Sequence, residues 1–104
     1  MTLYIVTTTV GSHDEAERLA RHLVEARLVA CVHIDDITSY YRWDGELQRD
    51  TEVRLTLKTT EKRYDELEKT LADLHPYDIP AIVAVPVANA YPPYADWVRN
   101  NTAG

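Results

Sequence analysis

The sequence predicts a two-layer α+β sandwich in the order β-α-β-β-α-β, a ferredoxin-like arrangement with a long hairpin between its second and third strands and a short closing helix. Three observations lead there. Two segments carry apolar residues on one side at helical spacing, and such helices need a sheet to pack on. Residues 2–9 and 81–88 are rich in β-branched and apolar side chains, as strands are. Residues 29–60 read as two extended arms about Asp44-Gly45. Asp-Gly between strand-like runs is the strongest short-range hairpin signal, because a type I′ turn needs positive φ at both central residues.

In the first strand Leu3, Ile5 and Thr7 share one face and Tyr4, Val6 and Thr8 the other; both are apolar enough for a central strand. Gly11-Ser12 ends it, and Ser12 with Glu15 forms a capping-box pattern. The helix that follows aligns Ala16, Leu19, Ala20, Leu23 and Val24, with Glu15, Glu17, Arg18, Arg21 and Glu25 toward water. Each hairpin arm is about 14 residues and would reach nearly 50 Å at roughly 3.3 Å per residue. A domain of this size has a radius of gyration of only about 13 Å. The hairpin should therefore project, carrying Tyr40, Tyr41, Trp43 and Leu47 near its tip, where only a second copy of the chain would shield them from water. The competing arrangement is a bulge at Asp35-Asp36 that folds the hairpin back on itself.

Beyond the hairpin, Thr60 is the expected N-cap of a second helix with Tyr64, Leu67, Leu71 and Leu74 on its apolar side. It stops at His75-Pro76, because proline disfavours helical backbone in the residue before it. Residues 81–88 then form a buried strand in which Pro86 signals an edge or a bulge. Tyr91, Pro92, Pro93, Tyr94, Trp97 and Val98 outline the closing helix, with proline in its first turn.

At 104 residues the chain is one domain, residues 1–104, with 45% hydrophobic and 27% charged residues. A net charge of -6 and no basic stripe exclude a phosphate-tracking surface, so no nucleic-acid partner is expected. No run approaches the roughly 20 apolar residues of a membrane span, and the amino end lacks the basic region of a signal peptide. One cysteine cannot form an internal disulfide, and the expected location is the cytoplasm.

Candidate sites are few. His75 with Asp78 nearby, and Cys31 two residues before His33 on one strand face, are the side chains that suit a copper or zinc ion. Each has a plainer role: Cys31 as a small core residue, His75 as a partner of the last helical carbonyls. Lys58, Thr59 and Thr60 lead into a helix start, where an anion could sit, or serve as a cap and a solvated amine. Tyr40, Tyr41, Trp43, Leu47, Tyr94 and Trp97 suit subunit-interface anchors. Charges interleaved near the tip, among them Arg42, Arg49, Asp50 and Glu52, read as cross-strand pairs or an interface rim. His13 and His22 are expected in solvent. With no nucleophile and base pair and no cofactor fingerprint, the chain reads as non-enzymatic.

The segments LVEARLVACVHI, ITSYYRWDGELQRDTEV, LKTT, LHPYDIPAIVAVPV and YADWV resemble, in order and spacing, the CutA family of divalent-cation tolerance proteins over most of the chain. The resemblance implies a fold related in shape to the PII signalling proteins and a homotrimer in which long hairpins pair between subunits. It also implies a role in tolerance of copper and other divalent metals. The family's copper-ligand positions fall on Thr8, Leu74 and His75, of which only His75 is a ligating side chain, and Ala81 replaces a frequent glutamate. No cofactor is required, and a weakly held divalent metal, copper or zinc, is the one the resemblance allows. The alternative is a PII-like trimeric sensor that binds a small anionic metabolite at subunit clefts through Lys58, Thr59 and Thr60.

Overall fold

The computed structural model describes residues 2–103. In chain order the elements are β1 (Leu3–Val10), α1 (His13–Glu25), β2 (Cys31–Trp43), β3 (Glu46–Thr60), α2 (Glu61–Leu74), β4 (Val83–Pro86) and α3 (Pro92–Thr102). The strands lie in the order β2-β3-β1-β4, every neighbouring pair antiparallel. This is the expected ferredoxin-like sandwich.

Register decides which side chains meet. Val6 opposes Leu57 and Val10 opposes Val53, so these share one sheet face. They pack with Leu55 against Ala16, Leu19 and Leu23 of α1 and Leu67 and Leu71 of α2. The apolar stripes are narrower than their periodicity suggests: Val24 and Leu74, at their margins, are exposed. Ser12 Oγ accepts from the Glu15 amide as a cap should. Thr60 sits at the N-cap of α2 but makes no side-chain cap bond, and the Glu61 amide donates to the Thr2 carbonyl instead. His13 is not merely solvated: its Nε2 lies 2.6 Å from Asp36 Oδ1, joining the start of α1 to β2.

Leu3 and Cys31 belong to the opposite face, and α3 covers one end of it. Ala95 and Val98 bury Leu3 and Ala30 there. Arg27, which follows α1 with φ of 60°, holds this helix by donating from Nε to the Ala103 carbonyl at 2.9 Å and from Nη2 to the Asn100 carbonyl at 2.6 Å. The remainder of the face is open. β4 was expected to be buried over residues 81–88; it is shorter, and Val83 and Val85 are exposed on the open side. The Val87 amide donates to the Leu3 carbonyl, which makes Leu3 and Val87 a hydrogen-bonded pair. Pro86, one residue earlier, therefore turns its missing donor toward the free edge, where it costs no ladder bond.

β2 and β3 pair without interruption from Cys31 opposite Lys58 to Trp43 opposite Glu46, so no bulge interrupts the hairpin. Asp44 and Gly45 have φ of 51° and 76°, the left-handed pair a type I′ turn requires. β1 accompanies β3 only from Val53 to Thr60. Beyond that, residues 37–43 and 46–52 form a two-stranded ribbon that at roughly 3.3 Å per residue overhangs the sheet by about 23 Å. The overhang stretches the molecule to 45 × 26 × 22 Å and its radius of gyration to 14.3 Å.

Candidate functional site: the groove beneath the hairpin

His75 directs the chain into this region. As the residue that ends α2 it has extended backbone, φ -71° and ψ 136°, as a residue before proline prefers. Its buried ring spans two elements. Nε2 lies 2.9 Å from the Thr9 carbonyl oxygen and 3.1 Å from Thr8 Oγ1, and Nδ1 accepts from the Tyr77 amide at 3.1 Å. A ring that accepts at Nδ1 and donates from Nε2 is neutral. Burial lowers its pKa, against the opposing pull of the Thr9 carbonyl and the Glu15 and Glu52 carboxylates. Thr8 and His75, two of the positions the family resemblance assigns to copper, thus do meet, but as a hydrogen-bonded pair, and Leu74 faces solvent. The expected bonds to helical carbonyls are replaced by bonds to β1.

Cys31 is elsewhere. It opposes Lys58 on the face under α3, half-buried, with Sγ 3.6 Å from the Tyr94 hydroxyl. Burial and the neighbouring thiol push the Tyr94 hydroxyl up to about 12. Thr8, the partner of His75, points to the face away from Cys31, so Cys31, His75 and Asp78 do not gather around one point. Among the described residues no group of three or more His, Cys, Asp or Glu side chains is placed to hold a metal ion.

Lys58, Thr59 and Thr60 also part company. Alternation along β3 turns Thr59 into the core, where its hydroxyl donates to the Leu28 carbonyl at 2.7 Å. Lys58 points to the other face, its Nζ 5.9 Å from the Tyr94 ring centroid. Thr60 is buried, and the first amide of α2 is already engaged by Thr2. The anion site expected at this helix start is not assembled within one chain.

What the fold does assemble is an open groove of about 900 Å³ between the ribbon and the loop joining α2 to β4. Tyr41, Trp43, Asp50 and Glu52 come from the ribbon, Tyr77 and Asp78 from the loop. Tyr41 donates to Asp50, which pushes its hydroxyl up to about 12. Tyr77 is raised by burial first and then by Glu52 and Glu15. Gly11 lies beneath, where a Cβ would stand 3.6 Å from the Tyr77 hydroxyl and 3.8 Å from Glu15 Oε2. Sequence reasoning noticed Asp78 only as a neighbour of His75, and Glu52 only as a rim charge. Their convergence depends on the ribbon's path over the loop and leaves no local signal.

The six aromatic and aliphatic residues expected at an interface are all exposed in the single chain: Tyr40 at 66%, Trp43 at 50% and Leu47 at 72%, with Tyr41, Tyr94 and Trp97 less so. Near the tip, charges pair with phenols and backbone rather than with each other: Arg49 donates to the Tyr40 hydroxyl at 3.0 Å and Arg42 to the Gly45 carbonyl at 3.2 Å.

The sequence profile described as "CutA1 divalent ion tolerance protein" matches residues 4–101. A divalent-cation tolerance protein CutA from Thermus thermophilus is 46% identical over 99 residues, covering 94% of this chain and 96% of that one. Its namesake from Pyrococcus horikoshii is 35% identical over 100 residues, 96% of this chain and 98% of that one. The structure of CutA from Synechococcus elongatus superposes with a TM-score of 0.96 at 38% identity, covering 98% of this chain and 91% of that one. Fold, hairpin and sequence agree, and the chain belongs to the CutA1 family of divalent ion tolerance proteins.

Proposed function

We propose that this protein serves divalent-cation tolerance without catalysing a reaction, as a homotrimer in the cytoplasm whose ribbons are sheltered by sister copies. The observation that carries this reading is the ribbon itself. It holds Tyr40, Trp43 and Leu47 exposed far from the core, beside a β2 edge that has no neighbour on its outer side among the described residues. Val83, Val85 and Ile79 add exposed apolar surface on the body. An edge contact between copies must close into a ring or grow into a filament, and the family resemblance supplies the number three.

Metal contact in this reading is weak and shared between copies. Among the described residues one chain gathers no set of three ligands, so an ion held specifically would draw donors from two subunits. Multi-angle light scattering tests the assembly: a mass about three times the chain's 11.9 kDa is expected, and a well-folded 11.9 kDa species at micromolar concentration would overturn it. Copper and zinc titration calorimetry on wild type and His75→Ala then asks whether that ring takes part; identical isotherms would remove it.

A further inference from the structure

β1 stops at Val10, opposite Val53, and farther out β2 and β3 pair only with each other among the described residues. At this level three side-chain ties gather. Asp36 pairs with Val53, a core residue, so both point to the helix face, and there Asp36 Oδ1 lies 2.6 Å from His13 Nε2 at the start of α1. Glu52, next to Val53, points to the opposite face, where the Tyr77 hydroxyl donates to its carboxylate. Asp35 shares that second face with its partner Arg54, whose Nε and Nη2 reach the two carboxylate oxygens at 3.2 and 2.8 Å. The body therefore holds the root of the ribbon from both sides, His13 from one and Tyr77 from the other, while the Arg54 fork makes the two strands turn as one.

Both holds are firm at their base. His13 follows the N-cap Ser12 directly, and the Tyr77 amide donates to His75 Nδ1, whose ring holds the Thr9 carbonyl through Nε2. The Tyr77 hydroxyl rests beside Gly11, just past the end of β1, where a Cβ would lie 3.6 Å from it. Farther out, the side-chain hydrogen bonds join the ribbon only to itself among the described residues: Arg49 to Tyr40, Tyr41 to Asp50 and Arg42 to Gly45. The side chains of His13 and Asp36 are 57% and 77% exposed, and exposed pairs add little to folding. Direction is another matter, because an overhang of about 23 Å turns a swing of about 10° at the root into about 4 Å at the tip. A ribbon of two strands is only marginally ordered by itself. Fixing it before two copies meet lowers the ordering cost of that encounter.

We propose that His13 and Tyr77 form a two-sided lock on the ribbon root, which sets the direction of the hairpin before another copy meets it. The lock consists of bonds within one chain; only its use rests on the assembly proposed above.

The test compares wild type with the double variant His13→Ala, Tyr77→Phe, which removes both holds, and with Tyr64→Phe, which removes a phenol–carboxylate bond of the same kind, to Glu68 within α2. Each is checked for folding by thermal melting, and light scattering decides which readout applies. If the chains assemble, they are refolded from guanidinium chloride at several protein concentrations. The concentration-dependent phase should slow at least tenfold in the double variant and stay unchanged in Tyr64→Phe, with the concentration-independent phase the same in all three. If wild type remains a separate chain, the assembly reading falls and the lock is read directly, from the distance between spin labels at Glu46→Cys and Arg18→Cys on a Cys31→Ser background. That distribution should be narrow with both holds and at least twice as wide without them. An unchanged assembly rate in the first case, or an unchanged width in the second, would overturn the lock, and so would equal effects of the double variant and Tyr64→Phe. If the double variant does not fold, His13→Ala and Tyr77→Phe are measured singly, each with a smaller effect of the same kind expected.

Discussion

His75 Nε2 stands 2.9 Å from the carbonyl oxygen of Thr9, so the residue that ends α2 is fastened to the strand beside the centre of the sheet. Because burial lowers the pKa of this ring below 6.5, the unfolded chain binds more protons than the folded one between that lowered value and 6.5. The contribution to stability is complete above about 6.5 and is lost as pH falls through the folded pKa. Urea midpoints measured from pH 7.5 to 5 should therefore decline, and His75→Gln should flatten the decline. A midpoint that rises on acidification would contradict the neutral ring. His75→Ala leaves Thr8 and Thr9 without their partner and should cost about 1–3 kcal/mol.

Two glycines should respond in opposite ways. Gly45 has φ of 76° and nothing near its missing Cβ, so Gly45→Ala meets only backbone strain. It should destabilise by about 1–2 kcal/mol. Gly11 has only ordinary contacts at 3.6 and 3.8 Å, and Gly11→Ala should be neutral or slightly stabilising. Thermal melts of the pair decide it, and equal losses would argue against the type I′ turn.

Leu57 and Leu47 lie ten residues apart on one strand and are 0% and 72% exposed. Leu57→Ala should cost about 2–5 kcal/mol at any protein concentration, since it empties core volume. Leu47→Ala should change the stability of a separate chain by less than about 0.5 kcal/mol. In an assembly it should instead lower the melting temperature in a concentration-dependent way. A concentration-independent loss at Leu47 would mean that its partner lies in its own chain.

At Arg27 two effects oppose each other. Its φ of 60° strains any residue but glycine, while its guanidinium holds the carbonyls of Asn100 and Ala103. Arg27→Ala keeps the strain and loses the bonds; Arg27→Gly loses the bonds but relieves the strain. The alanine variant should therefore be less stable than the glycine variant by about 1 kcal/mol. Amide exchange near the end of α3 should quicken in both. Protection there equal to wild type would mean that the guanidinium does not hold the helix.

Element order, the turn at Asp44-Gly45 and the overhang of the ribbon were legible because each follows from local periodicity or backbone preference. The limits lie where tertiary partners choose. Val24 and Leu74 satisfy helical spacing yet miss the sheet, because two helices side by side cover less of it than their combined stripes. β4 reads as buried from its composition, but one chain supplies nothing to cover Val83 and Val85. Cys31 and His75 share metal-binding chemistry, yet strand alternation sends the first under α3, while Thr8 draws the second toward the helices. Glu52 and Tyr77 meet across the groove although 25 positions separate them in the sequence, and no periodicity links them.

The unbroken pairing from Cys31 to Trp43 constrains how this protein can vary. One residue added to a single arm would exchange inward and outward side chains along that whole arm beyond the insertion, sending Trp43 or Leu47 to the wrong side. Additions or deletions of two residues in each arm, opposite one another, preserve every facing relation and change only the reach, by about 6.6 Å each. The overhang is therefore a ruler that can be lengthened or shortened only in matched steps, and lineages that alter it must change both arms together.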